Sequence, residues 1–156
     1  MAVTRGKSRF LGRTLIASAI ILTAGALALA AAGISPRFTQ LNGRDSVTIS
    51  GASLDKGSIR FYSYRDDAGK DIRFILGRDQ SGRVHGAFDA CQRCAQYGKG
   101  YTASNGYLVC RFCGNRYRLN SRTGIGSCAP IELPVHESGN TITVDTSELK
   151  RQRSLF

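Results

Sequence analysis

The chain has 156 residues, with 22 Lys plus Arg against 11 Asp plus Glu and a formal net charge of +11. That length holds one membrane-targeting segment and one small domain, and it excludes a large enzyme. The charge is divided by position: residues 1–13 carry Arg5, Lys7, Arg9 and Arg13 without an acid, residues 14–35 carry no charge, and all 11 acids follow.

From Thr14 to Ile34 the chain reads TLIASAIILTAGALALAAAGI. A helix of that length spans about 31 Å, enough to cross a bilayer core. The four charges before it place residues 1–13 in the cytoplasm and the rest of the chain outside, in the periplasm or beyond. A cleaved secretory signal is the alternative, with Ala28-Leu29-Ala30 as the cleavage site. The run is longer than the roughly 7–15 residues of a signal core, so the expectation is an uncleaved single-pass anchor over 14–34 in the cytoplasmic membrane. No polar face interrupts the run, which argues against a buried soluble helix.

Residues 35–44 read as a polar linker, 45–150 as an extracytoplasmic domain and 151–156 as a tail. Within the domain, strand signals dominate. Ser46–Ser50 alternates with period two, and Ser58–Arg65 and Asp71–Arg78 flank the hairpin turn Asp66-Asp67-Ala68-Gly69-Lys70. Asp79-Gln80-Ser81-Gly82 turns the chain into Arg83–Asp89, and Tyr107–Cys110, Asn115–Leu119 and Thr141–Val144 are shorter strands. The expectation is an all-β domain of short strands and tight loops.

Four of the five cysteines form Cys91-x2-Cys94 and Cys110-x2-Cys113, fifteen residues apart. Each pair suits a tight turn that points both sulfurs one way, and two facing turns supply four thiolates for Zn²⁺ or an iron–sulfur cluster. Gly114 follows the second pair, where a positive φ lets backbone N–H groups face sulfur. The odd cysteine count and paired spacing disfavour a disulfide scaffold, and the lack of a helical stripe disfavours a thioredoxin-like dithiol. A structural zinc ribbon stays open. Structural Zn²⁺ contributes about 10–16 kcal/mol, comparable with a small domain's whole stability of about 5–15 kcal/mol.

Between Cys91 and Pro130 stand Arg93, Lys99, Arg111, Arg116, Arg118 and Arg122, with no acid. Such cations lower thiolate pKa values, and Arg93, Arg111, Arg116 and Arg118 are candidates to dock an acidic redox partner; a solvated basic face is the plainer reading. Nucleic acid is not the expected partner, because the domain lies outside the cytoplasm. Cys128 and His85 are candidates for a further ligand or a neighbour of the ligands. Tyr97, Tyr101, Tyr107, Phe112 and Tyr117 are expected to form an apolar shell rather than a stacking surface. No Ser-His-Asp set, carboxylate pair or phosphate-binding glycine loop supports an enzyme.

Several runs together resemble the FtrD-like membrane iron–sulfur domain. They are Ala87-Phe88-Asp89-Ala90-Cys91-x2-Cys94, Gly100-Tyr101, Cys110-x2-Cys113-Gly114 and Gly126-Ser127-Cys128-Ala129-Pro130-Ile131, with Arg60-Phe61-Tyr62 and Ile72-Arg73-Phe74 upstream. The resemblance covers about residues 45–150. It implies a membrane-tethered, ferredoxin-like protein of ferrous iron uptake that passes electrons near an iron permease. The family commonly shows Gly-Gly-Cys-Asn-Pro at the last motif; here Ser127 and Ala129 replace the second Gly and the Asn.

A fainter likeness to Rieske domains places Cys94 and Cys113 where histidines would stand. The expected frame is therefore a small Rieske-like or rubredoxin-like all-β domain with two opposed CxxC loops. Thiolates in place of histidines add negative charge and lower the potential of any [2Fe–2S] centre.

The expected function is a non-enzymatic iron–sulfur electron carrier, with its centre on Cys91, Cys94, Cys110 and Cys113. The alternative is a zinc, copper or iron binding module without a redox role. One sequence feature favours that alternative: Lys7–Gly12 (KSRFLG) holds a single arginine, whereas export of a folded cluster protein normally uses a twin-arginine signal.

Overall fold

The computed structural model describes residues 38–120 and 129–156. The basic N-terminus, the apolar run, the start of the linker and Cys128 lie outside the described residues. Among the described residues, no helix is long and apolar enough to cross a membrane.

Eleven strands are described: β1 Thr39–Leu41, β2 Ser46–Ser50, β3 Ile59–Arg65, β4 Asp71–Arg78, β5 Val84–Cys91, β6 Tyr101–Ser104, β7 Tyr107–Cys110, β8 Arg116–Arg118, β9 Pro130–Glu132, β10 His136–Ser138 and β11 Thr141–Asp145. One short helix, α1 (Thr146–Arg151), follows them. A five-stranded sheet runs in the order β1-β3-β4-β5-β9, and two three-stranded sheets run β10-β11-β2 and β6-β7-β8. Every pairing between these strands is antiparallel except β1 with β3. The expected all-β character is present, with helix confined to α1 and short 3₁₀ turns.

The apolar run Phe74-Ile75-Leu76 explains the layering. Side chains alternate across a strand, so Ile72, Phe74 and Leu76 enter one core while Ile75 enters another. On the first side they meet Val47, Ile49, Ile142 and Val144 of the β10-β11-β2 sheet and Leu149 of α1. On the second, Ile75 meets Tyr101, Leu108, Tyr117 and the cysteines, with Ile59 and Phe61 of β3 packed beside them. The five-stranded sheet is thus covered on both faces, and its cysteine-bearing cover is held through Ile75.

The Asp66–Lys70 turn closes β3 onto β4 as expected: Asp66 Oδ1 accepts the N–H groups of Ala68 at 3.0 Å and Lys70 at 2.9 Å. Segments read as linker and tail also take part in the fold. Thr39–Leu41 pairs in parallel with Tyr62–Tyr64. Past α1, Arg153 lies 3.2 Å from Asp66, and the Phe156 ring packs 6.4 Å from Phe88. The boundary signals were polar residues, and these contacts depend on partners more than twenty residues distant in sequence.

Candidate metal centre

Cys91 ends β5, beside an irregularity in the pairing with β9: Ala87 faces Glu132 and Cys91 faces Pro130, so four steps on β5 match two on β9. Such bulges re-aim a strand end. The chain then turns so that the Cys94 N–H donates to the Cys91 sulfur at 2.8 Å. Cys110 ends β7, and the turn after it closes through Gly114, whose N–H donates to the Cys110 carbonyl at 2.9 Å with φ +75°. The Arg111 N–H donates to the Gly100 carbonyl at 2.9 Å, fixing the second cysteine loop to the segment that leaves the first.

These turns bring the sulfurs of Cys91, Cys94 and Cys110 within 4.8 Å of one another. All three residues are buried, and all four cysteines of the two pairs are thiols. Cys113 is exposed and outside that close trio, yet its thiol and backbone N–H both interact with the Cys110 sulfur. Burial pushes the Cys110 thiol up, the N–H groups of Cys113 and Phe112 oppose it, and the neighbouring sulfurs of Cys113 and Cys91 push it up further. A buried group of thiolates is costly without a cation, and sulfur donors met by backbone N–H groups suit Zn²⁺, Cu⁺ or an iron–sulfur cluster. The residues present fit such a group.

Tyr101 is fully buried beside the trio, and its hydroxyl donates to the Cys91 sulfur. Burial, then the charge of Cys91 and Cys110, pushes its ionisation far above the ordinary range. Its backbone N–H donates to Asp89 Oδ1 at 2.7 Å. Gly100 completes this brace: its φ is +65°, and a Cβ there would lie 2.3–2.6 Å from the Asp89 carboxylate. Asp89 and Gly100 stood in the resembling motifs without assigned roles, and Tyr101 was expected only as part of the apolar shell; the fold shows that the three join β5 to β6 beside the sulfurs.

The other candidates fall around this centre. His85 stands six residues before Cys91, roughly 20 Å along an extended strand. Its Nε2 lies 2.8 Å from Asp79 Oδ2, at the edge of a cleft of about 550 Å³ shared with Arg78, Tyr107 and Arg118. Asp79 also accepts the Ser81 hydroxyl at 2.6 Å, and Ser81 and then His85 hold its carboxyl far below the usual carboxylate range. Arg93 and Arg111 are exposed within the two cysteine loops. Arg116 lies over the Tyr107 ring at 4.8 Å, and Arg118 donates to the Tyr107 hydroxyl at 3.1 and 3.2 Å, which lowers that phenol's pKa.

The aromatic residues divide. Tyr101 and Tyr117 are buried with the cysteines as a shell. Tyr97 and Phe112 instead stack on each other, with centroids 3.9 Å apart, planes within 5° and each ring 49 % exposed. The expectation of a shell without stacking is corrected for this pair, because the fourteen intervening residues fold into a hairpin that brings the two loops together.

The family described as "Membrane iron-sulfur containing protein FtrD-like" matches residues 54–156. No protein of curated function matches. Among solved structures, the crystal structure of the quaternary ammonium Rieske monooxygenase CntA, bound to an inhibitor, is similar at a TM-score of 0.48 and 11 % identity. The likeness covers 67 % of this chain and 32 % of that one, so the chain spans about a third of that enzyme's length.

Proposed function

The chain belongs to the FtrD-like family of membrane iron-sulfur containing proteins, and on that premise we propose that it is a one-electron carrier, anchored in the membrane and serving ferrous iron transport. The observation that carries this reading is the buried meeting of the Cys91, Cys94 and Cys110 sulfurs within 4.8 Å. Cys113, at the same turn, supplies the fourth thiolate, and Cys128 is a further ligand or a neighbour of the ligands. When bound, an iron–sulfur cluster supplies a site that takes up and gives back single electrons.

The chain's own residues set the conditions for that exchange. Cys91, Cys94, Cys110 and Cys113 hold the group in a small Rieske-like frame. Backbone N–H groups at Cys94, Phe112 and Cys113, with the Tyr101 hydroxyl, donate to the sulfurs and favour the more negative, reduced state. The apolar pack of Ile75, Leu108 and Tyr117 excludes water from one side. Arg93, Arg111, Arg116 and Arg118 offer a positive approach to a redox partner beside an iron permease.

Residues 1–13 stay in the cytoplasm, 14–34 cross the cytoplasmic membrane and the domain works in the periplasm or outside; secretion after signal cleavage is the alternative. A zinc or copper module without redox chemistry is favoured by the lone arginine of Lys7–Gly12. Elemental analysis of the full chain purified from membranes separates the two. The carrier reading expects iron with matching acid-labile sulfide, and one zinc without sulfide overturns it.

A further inference from the structure

Among the described residues, the large apolar side chains left exposed are Tyr97 and Phe112, the two halves of one stack. Tyr97 comes three residues after Cys94, and Phe112 lies between Cys110 and Cys113. Folding ordinarily buries rings of this size. Two rings held parallel and half in water, at the mouth of a buried site, form an apolar spot of the kind that marks an interaction surface.

The charge carried by the two loops themselves has one sign. Arg93 lies within the first cysteine pair, Lys99 two residues past Tyr97, and Arg111 beside Phe112; all three are exposed. From Cys91 to Arg118 the chain contains no Asp or Glu. An aromatic centre within a charged rim matches the anatomy of a docking patch, where the rim sets encounter and the rings set residence.

We infer that the Tyr97–Phe112 stack is the contact point for a partner protein that presents an acidic surface with apolar side chains at its centre. The inference rests on the electron-carrier reading above. Both rings belong to the loops that carry the cysteines, so a partner seated on them lies within a few residues of the buried sulfurs. The stack also joins the two loops, so metal content read on every variant separates contact from clamp: a clamp loses metal with the stack, and a contact does not.

The full chain in neutral-lipid nanodiscs is titrated, by fluorescence anisotropy, with a labelled glutamate-rich peptide bearing two central leucines. An all-glutamate peptide of equal length is the control. The leucine-bearing peptide binds about tenfold more tightly than the control. Phe112→Ser removes that difference, Tyr97→Ser does the same without touching the second loop, and Phe112→Tyr, which keeps the stack, restores it. Equal binding of the two peptides, or an undiminished difference in both serine variants, overturns the inference. So does Phe112-dependent capture by anionic lipid vesicles with no peptide binding, which makes the patch a membrane contact. Metal and sulfide are measured on the same samples: zinc without sulfide alongside the expected peptide binding overturns the carrier reading and leaves the docking patch standing.

Discussion

The buried Asp89 carboxylate accepts the backbone N–H of Tyr101 at 2.7 Å, and Tyr101 turns its hydroxyl to the Cys91 sulfur. One carboxylate on β5 thereby fixes the residue that opens β6, and through it a proton donor on a candidate ligand. Removing that hydroxyl isolates its electrostatic effect. Tyr101→Phe keeps the ring and should lower the reduction potential of the centre by about 40 mV, the equivalent of one hydrogen bond of about 1 kcal/mol in a one-electron couple. Metal content stays unchanged, and a redox titration reads the shift.

Gly100→Ala attacks the same brace from the backbone. The new Cβ meets the Asp89 carboxylate at 2.3–2.6 Å, at a φ of +65° that side chains rarely adopt. The expected loss is about 1–3 kcal/mol of stability, read from the urea midpoint.

Ile75 and Leu76 are neighbours on β4 but serve different layers. Each truncation to alanine should cost about 2–5 kcal/mol in urea unfolding. Ile75→Ala also loosens the cysteine layer and speeds metal release to a chelator. Leu76→Ala leaves the release rate near that of the wild type, because its side chain enters the opposite core.

Asp79 gives a pH signature away from the sulfurs. Its folded pKa lies below the ordinary 3.8, because Ser81 and His85 bond its carboxylate. A lowered folded pKa stabilises the fold above the unfolded pKa, and that stabilisation is lost as pH falls through the folded value. The stability difference between wild type and Asp79→Asn is therefore full above about pH 5, and it shrinks with acidification below the ordinary 3.8. Urea titrations across that range measure it.

Much of the sheet was legible because alternation is a local signal. Val47 and Ile49 mark β2, and the Asp66–Lys70 and Asp79–Gly82 turns separate β3, β4 and β5 where expected. Strands β1, β6, β9 and β10 were not legible: they are three or four residues long, too short for alternation to register, and only pairing with a neighbouring strand defines them. At the site, spacing identified both cysteine pairs but not that Cys94 is buried while Cys113 faces solvent. Nor does any periodicity encode Asp89 beneath Gly100 or Tyr97 against Phe112, which hairpin closure brings together.

The carrier reading turns on whether these thiolates hold a centre that exchanges single electrons. Stepwise reduction and reoxidation of the full chain, followed by visible absorbance, tests it most directly. The expected result is a coloured protein that bleaches reversibly on uptake of one electron, with the colour abolished in Cys91→Ser, Cys94→Ser and Cys110→Ser. A colourless chain that folds with bound zinc and takes up no electrons would contradict it.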